Sequence, residues 1–439
     1  MLARSGVRAG DREILALALP ALGALAADPL VSMVDTAFVG RLGVVPLAAL
    51  GVNTSVFSLA FVAFNFLAYG TTPLVARAVG RGDREAAGAI VQQALLLGAL
   101  IGLLATLVLE LGAEPIVSVM GAGGDLRRDA IAYLRIRALG GPAVLLILAG
   151  HGAYRGYQDT KTPLLVTLGL NAVNLVLDPL LIFGLGWGLE GAAVASLAAQ
   201  WAGAAGFLHL LLVRHRRALG IRLARPRVRR LLPFLRIGGE LAVRTFSLLG
   251  TLALATAVAT RVGTAAVAAH QVASQVWLFL ALVVDSLAVA AQAIVARHRG
   301  AGDVRAARAA ANRLLLFGGA VGCGIALVLL ALAPLVPRLF TAEPGVLRAV
   351  AGVLPFVILL QPINGLVFVW DGVFLGAESF RFLAAQMAVS AAGAAVVLLL
   401  VLPLGWGLAG VWWGMTALMA IRCATLAARY VGPGTLRAA

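Results

Sequence analysis

The sequence predicts an all-α membrane protein with twelve transmembrane helices in two six-helix lobes related by a parallel internal repeat. Three observations carry this fold class. The 439 residues are 61% hydrophobic and only 12% charged, with a mean hydropathy of +0.98, too little charge to coat a soluble protein of this length. Twelve apolar segments reach the roughly 20 residues needed to cross a bilayer. Three motifs of the first half return in the second at a nearly constant spacing.

In chain order the apolar segments lie near 14–39, 47–75, 89–111, 130–151, 162–184 and 189–213, then near 235–260, 266–296, 309–333, 347–374, 382–402 and 407–430. Pro20, Pro29, Pro179, Pro355 and Pro362 fall inside them, which membrane helices tolerate because neighbouring groups re-satisfy the freed backbone. Arg4, Arg8 and Arg12 before an apolar run with Ala-Leu-Ala at 24–26 have the outline of a secretory leader. The run continues to Val39, however, and its end recurs later, so it reads as a retained first span. Cys323 and Cys423 sit in separate apolar runs, without metal spacing or a disulfide framework, and read as helix packing.

The net charge of +16 does not point to nucleic acid, because nearly all arginines lie between apolar runs, where a membrane protein carries its anchors. After the N-terminal arginines, basic clusters follow at "ARAVGRGDRE" (76–85), "RHRRALGIRLARPRVRR" (214–230) and "ARHRGAGDVRAAR" (296–308). All fall on one face when spans are counted, and the positive-inside rule makes that face cytoplasmic. The opposite loops "LGWGLEG" (185–191), "ATRVG" (259–263) and "LGWGLAG" (404–410) are short and poor in charge. Arg127, Arg128, Arg135 and Arg137 run against the rule, with Glu114, Asp125 and Asp129 nearby.

The repeat organises the chain. "TTPLVARAVGRGDREAA" (71–87) and "AQAIVARHRGAGDVRAA" (291–307) share eight residues of seventeen at an offset of 220. "TAFVGRLGVVPLAA" (36–49) matches "TAVATRVGTAAVAA" (256–269) at the same offset, and the two "LGWGL" loops are 219 apart. Six spans return the chain to its starting side, so the halves share one orientation. Such parallel pairs occur in transporters, with the pathway between the halves. The expected organisation is an N-terminal six-helix lobe at 1–213, a basic cytoplasmic linker at 214–234 and a C-terminal six-helix lobe at 235–439.

Acids inside the membrane are the chemical signal. An ionised carboxylate at mid-bilayer costs roughly 2.5–3.5 kcal/mol on insertion scales, yet "DPLVSMVDTAFVG" (28–40) holds Asp28 and Asp35. Seven residues make nearly two turns, so both acids face one side of the first span. In the fifth span "NAVNLVLDPL" (171–180) places Asn171, Asn174 and Asp178 on one face. Asp35, Asp178 and Ser196 of the sixth span lie at a similar depth, roughly 8–10 Å from the outer ends of their helices, and Tyr133 in the fourth lies near that level. Two carboxylates with amide and hydroxyl oxygens at one level suit sodium or a shared proton. Buried hydrogen bonding between helices is the competing reading.

The repeat partners of Asp35 and Asp178 are Ala255 and Leu398, so the cation chemistry is expected in the first lobe. Asp28, Asp285, Asp371 and His270 are candidate cavity or substrate residues; Asp371 is the repeat partner of His151. Trp277, Trp370, Trp412 and Trp413 are available to stack on aromatic substrates or to pack.

"DTAFVGRLG", "ARAVGRGD" and "ATRVGTAAVAAHQVASQVWLFLALVVDSLAVAAQAIVARHRGAGD" (259–303) resemble the multidrug and toxic compound extrusion (MATE) transporters. With "WDGVFLGAES" (370–379) they resemble the DinF-like branch, and the likeness spans nearly the whole chain. The resemblance implies a twelve-helix, two-lobed antiporter of the bacterial inner membrane, without a cofactor, that expels drug-like compounds using a proton or sodium gradient. It also implies cation coupling at Asp35, Asn174, Asp178 and Ser196, which match an acid ending helix 1, an Asn…Asp pair on helix 5 and a hydroxyl on helix 6. These four would be the metal ligands if the ion is sodium; serine stands where some relatives have threonine. Tyr133 matches an aromatic position lining the N-terminal cavity. Another branch uses second-lobe acids for the cation, which makes Asp371 the rival site.

The expected partners are a small organic substrate, cationic or amphipathic, and the lipid bilayer; no nucleic acid and no obligate protein partner are implied. "GYQDTKT" (156–162) lacks the second glycine of a phosphate loop, so an ion gradient is the expected energy source, at roughly 2.3 kcal/mol per charge for each 100 mV. One alternative is a lipid-linked oligosaccharide flippase, which needs a strongly cationic cavity, whereas Arg244 is the main mid-span arginine. The other is a non-transporting scaffold or enzyme, for which no metal or nucleophile constellation is visible. The charge distribution predicts that reporters fused after residue 220 and at the C-terminus are cytoplasmic and that one at residue 188 is external; a cytoplasmic reporter at 188 overturns this topology.

Overall fold

The computed structural model describes residues 2–222, 231–340 and 343–432, and the described residues contain helices and turns but no strand. The first half holds α1 (Leu2–Gly40), α2 (Val44–Val62), α3 (Phe66–Gly80), α4 (Arg84–Leu111), α5 (Ala113–Val119), α6 (Gly124–Ala138), α7 (Gly141–Gly156), α8 (Lys161–Pro179) and α9 (Gly188–His209). The second holds α10 (Leu232–Val262), α11 (Thr264–Gly300), α12 (Val304–Leu332), α13 (Pro344–Gly376), α14 (Phe380–Leu400) and α15 (Gly407–Val431). Among the described residues eleven helical spans are long and apolar enough to cross a membrane, and α6 with α7, bent by 48°, makes a twelfth. The expected all-α membrane architecture is thus present. The short break between α2 and α3, at Ala63–Asn65, does not divide the second span.

The repeated sequence motifs are turns and caps. In each "GD" motif the glycine holds a left-handed backbone, φ +75 at both Gly82 and Gly302, which favours glycine because it lacks a Cβ. The aspartate that follows caps the next helix: Asp83 accepts from the Ala86 amide at 2.9 Å and Asp303 from the Ala306 amide at 2.8 Å. Each "LGWGL" loop uses two positive-φ glycines, Gly186 and Gly188 in the first half, Gly405 and Gly407 in the second.

Close backbone contacts follow the same offset, a repeat too dilute to notice in an alanine- and leucine-rich sequence. In the first half Gly98 and Gly102 of α4 meet α7 backbone at Leu145 and Pro142, while Gly152 and Gly156 of α7 meet α3 at Ala68 and Thr72. In the second half Gly318 and Gly322 of α12 meet α13 at Gly365 and Pro362, while Gly372 and Gly376 of α13 meet α11 at Ala288 and Gln292. Each of these contacts is displaced by 220 residues from its counterpart. Small residues four apart let helices approach where apolar burial gives no net drive between them, since lipid is as apolar as the helix surface.

The halves differ where helices break. α11 and α13 run unbroken for 37 and 33 residues, but their first-half counterparts are interrupted at Ala63–Asn65 and at Leu139–Gly140. Pro142 and Pro362 occupy the same repeat position, so proline does not make the difference. Gly140-Gly141 precedes Pro142, whereas Leu360-Gln361 precedes Pro362; two glycines weaken the helix at that point.

The chain separates into two compact units, Leu19–Gly238 and Met1–Ala18 with Gly239–Ala439. Within the latter, Arg313 grips Asp11 through two bonds of 2.6 and 2.7 Å, and Arg297 pairs with Glu13 at 2.6 Å. These ion pairs group the start of α1 with the second-half helices, although the sequence suggests a boundary at 213. Of the basic linker expected at 214–234, residues 223–230 lie outside the described residues. Gly365→Leu should destabilise the chain by about 1–3 kcal/mol through overpacking, because its Cβ would meet the Gly318 backbone. Gly352→Leu, with open space around it, should not destabilise. Thermal unfolding in detergent compares the two, and equal midpoints would contradict this packing.

Candidate functional site

In the unit Leu19–Gly238, α1 and α8 present polar side chains in the same seven-residue rhythm. Asn171 donates to the Asp28 carboxylate at 3.0 Å, and seven residues on from each, the carboxyls of Asp35 and Asp178 hydrogen-bond one another. Two turns of helix, about 10 Å, separate these rungs. Between them Asn174 donates to the Ser196 hydroxyl of α9 at 3.4 Å. Asn171, Asn174 and Asp178 are all buried, and the i, i+3, i+7 spacing read from the sequence is the face that meets α1 and α9.

Asp178 is the penultimate residue of α8, where Pro179 leads into a single wide turn, Leu180–Gly184. The Leu185 amide bonds the Leu180 carbonyl five residues back at 2.9 Å. Such wide turns occur often beside functional groups. Phe38 and Phe183 meet edge to face at 6.2 Å just beyond the acid pair.

A cavity of about 330 Å³ lies along this ladder, lined by Asp28, Asp35, Asn171, Asn174, Ser196 and, from the bent α6, Arg137. Arg137 lies within electrostatic range of both Asp35 and Asp178 and donates to the Tyr133 hydroxyl. Its guanidinium also lies over the Phe57 ring at 5.3 Å. Tyr133 is buried and reaches the group through Arg137 rather than by lining the cavity. His151 and Gln200 also face the cavity; the His151 ring meets the Thr167 hydroxyl at 3.3 Å.

The sequence therefore points to Asp28, Asp35, Tyr133, Asn174, Asp178 and Ser196, and the structure brings these together. Arg137, His151 and Gln200 escape that reading. Arg137 resembles an exception to the charge rule, and only the bend between α6 and α7 reveals its direction. Gln200 lies one turn from Ser196, a spacing that was available as a signal.

The other candidates belong to the second unit and do not join this group. Asp371 is buried and binds two guanidiniums, Arg244 at 2.8 Å and Arg422 by a short hydrogen bond. Arg422 is itself almost wholly buried. His270 is buried against Trp412, ring centroids 5.8 Å apart, and meets the Ser274 hydroxyl at 3.4 Å. Asp285 is half-buried on α11. Trp277 and Trp370 are also buried, whereas Trp413 is exposed beside Phe356. Among the described residues no three His, Cys, Asp or Glu side chains are grouped to hold a metal ion.

Up to twelve helical spans among the described residues, with hydrogen-bonded acids beside a polar cavity, are the features of a membrane transporter. The comparisons with known proteins name its kind. The MatE family model matches residues 20–180 and 241–401, two segments that reproduce the internal repeat. Protein DETOXIFICATION 44, chloroplastic, of Arabidopsis thaliana is 38% identical over 93% of this chain and 80% of its own length. DNA damage-inducible protein F of Escherichia coli is 30% identical over 95% of this chain and 91% of its own. The fold is shared with a Vibrio cholerae MATE transporter at a TM-score of 0.89 and 22% identity, over 97% of each chain. The chain belongs to the MatE family, the multidrug and toxic compound extrusion transporters; it is a multi-pass membrane protein and a transporter rather than an enzyme.

The two acid clusters predict opposite responses to neutralisation. Asp371→Asn removes the carboxylate that two guanidiniums share, and breaking a buried ion pair on one side costs about 3–5 kcal/mol. Asp35→Asn keeps the shape and removes a charge that is costly to bury. Melting in detergent should show Asp371→Asn strongly destabilised and Asp35→Asn near wild type; the reverse order would contradict these assignments.

Proposed function

We propose that the protein is a secondary antiporter of the DinF-like branch, exporting drug-like or toxic organic compounds in exchange for protons or sodium by alternating access. Asp35 and Asp178 are the coupling site, assisted by Asn174, Ser196 and Tyr133. One observation carries the reading: the two carboxyls hydrogen-bond one another beside a polar cavity. A bond between carboxyls requires that one carry a proton, because an ionised carboxylate only accepts. Loss of that proton leaves two anions side by side, and their repulsion favours uptake of a new cation. Sodium would find the same carboxylates with the neutral oxygens of Asn174 and Ser196.

Arg137 sets the charge balance. One proton on the pair and one guanidinium sum to zero, and losing the proton leaves a single negative charge. One monovalent cation then restores neutrality, the condition under which a buried site is least costly. Asp28, open to the cavity and held by Asn171, suits the charged end of a cationic or amphipathic substrate. The proposed location is a bacterial inner membrane with both termini cytoplasmic; some relatives are named as chloroplastic. The flippase alternative gains no support, since relatives are named for detoxification and multidrug resistance and Arg244 is engaged with Asp371.

Asp35→Asn and Asp178→Asn should each reduce gradient-driven efflux of a fluorescent organic cation to background at matched membrane expression. Asp28→Asn should be intermediate, and Asp371→Asn, where it folds, should retain coupling. Uphill efflux by Asp35→Asn at the wild-type rate would place the coupling elsewhere. In proteoliposomes, Arg137→Gln should steepen the dependence of efflux on the driving cation from first toward second order, because the empty pair then carries two uncompensated charges. An unchanged order would remove Arg137 from the charge balance.

A further inference from the structure

A second cavity, of about 860 Å³, lies at the far end of α9, where Arg84, Arg214, Arg216, Arg217 and Arg222 surround a single acid, Glu85. Ser196 and Arg214 are eighteen residues apart along this span, roughly 27 Å at helical rise, so the cavity is distinct from the coupling site. Glu85 is already paired with Arg222. Four arginines therefore face the cavity in excess of its negative charge.

The scaffold under these arginines is built. The span ends in a wide turn, Leu210–Arg214, closed by the His215 amide on the Leu210 carbonyl at 2.8 Å. Tyr154 bonds the His215 ring at 3.0 Å, and the Tyr157 hydroxyl donates to the Leu219 carbonyl at 2.6 Å. Arg216 closes the turn on itself by donating to the Ile221 carbonyl at 3.2 Å. Gly220, at φ +69, packs its backbone against α4 at Arg84 and Gly88, where no Cβ would fit. Ile221 is buried beneath. The segment from Arg214 to Arg222 is thus clamped to α4 and α7, with its guanidiniums pre-placed around one opening.

The cavity is amphipathic. Leu212 and Val213 line it beside the arginines; they are the last apolar residues of the span Gly188–Arg214, and Val213 is 66% exposed. The opening therefore sits where hydrocarbon gives way to headgroups. Basic pockets at that level bind phosphate-bearing headgroups, guanidinium being the side chain best shaped for phosphate oxygens. The structure assigns this cavity, we propose, as a binding site for the headgroup of an anionic phospholipid, with an acyl chain leaving along Leu212 and Val213. The repeat offers no second copy among the described residues, because the counterparts of Arg214 to Arg217 fall at 434–437.

Native mass spectrometry of the full chain, released from micelles containing equal phosphatidylglycerol and phosphatidylcholine, tests the assignment. Arg214 and Arg217 are exposed and hold none of the turn's bonds described above, so Arg214→Gln with Arg217→Gln leaves the scaffold in place, as circular dichroism and gel filtration verify. Wild type should retain phosphatidylglycerol preferentially, and the double variant should hold it roughly thirtyfold more weakly. Removing the same charge elsewhere, by Arg127→Gln with Arg128→Gln, should leave the preference intact. Equal retention of both lipids by wild type, or equal loss in both variants, overturns the site. Complete displacement of phosphatidylglycerol by millimolar inorganic phosphate overturns the lipid assignment in favour of a soluble anion.

Discussion

Hydrocarbon offers no water to a polar group, so every charge inside the membrane must find its partner in the protein. This chain meets that requirement in two chemically different ways. In the second unit Asp371 is held by Arg244 and Arg422, cations that never release their protons in a protein. That arrangement is permanent. In the first unit Asp35 is held by Asp178, and a carboxyl pair is stable only while it carries a removable proton. The same physical demand is met by guanidiniums in one half and by a carboxyl partner in the other, and the proposed exchange of a cation belongs to the latter.

The backbone frame beneath these sites is common to both halves. Glycines displaced by 220 residues bring α4 onto α7 and α12 onto α13, and α7 onto α3 and α13 onto α11. On that shared frame the first half adds two helix breaks, at Ala63–Asn65 and between α6 and α7. The second break follows the turn that carries Tyr133 and Arg137, the residues of α6 that interact with the acid pair. Irregular backbone at membrane depth is tolerated where its freed polar groups find partners in the protein, and here the Trp201 indole donates to the Leu139 carbonyl at 3.2 Å. Pro20 and Pro29, by contrast, lie inside a continuous α1.

Much of the fold was legible because hydrophobic length is a one-dimensional signal. The spans, and the seven-residue spacing of Asp28 and Asp35, needed no partner to be read. The matching spacing of Asn171 and Asp178 was visible too, but pairing the two ladders required the packing of α1 against α8. Arg137 was misleading for a physical reason: four residues of the 127–137 segment carry the same charge, and sequence does not distinguish an interfacial arginine from one turned inward by a bend. Arg422 gave no sign, since a lone arginine in an apolar run reads as a snorkelling residue until Asp371 is placed beside it. The glycine contacts were hidden by the sheer number of glycines, 51 in the chain.

In the proposed mechanism Asp35 and Asp178 share one exchangeable proton. Infrared difference spectroscopy of the protein in lipid, recorded on raising the pH, reads it most directly. Wild type should lose a protonated-carboxyl band, and that band should be absent from the difference spectrum of both Asp35→Asn and Asp178→Asn but not of Asp371→Asn. A protonated-carboxyl band that titrates unchanged in the Asp35→Asn, Asp178→Asn double variant would contradict it.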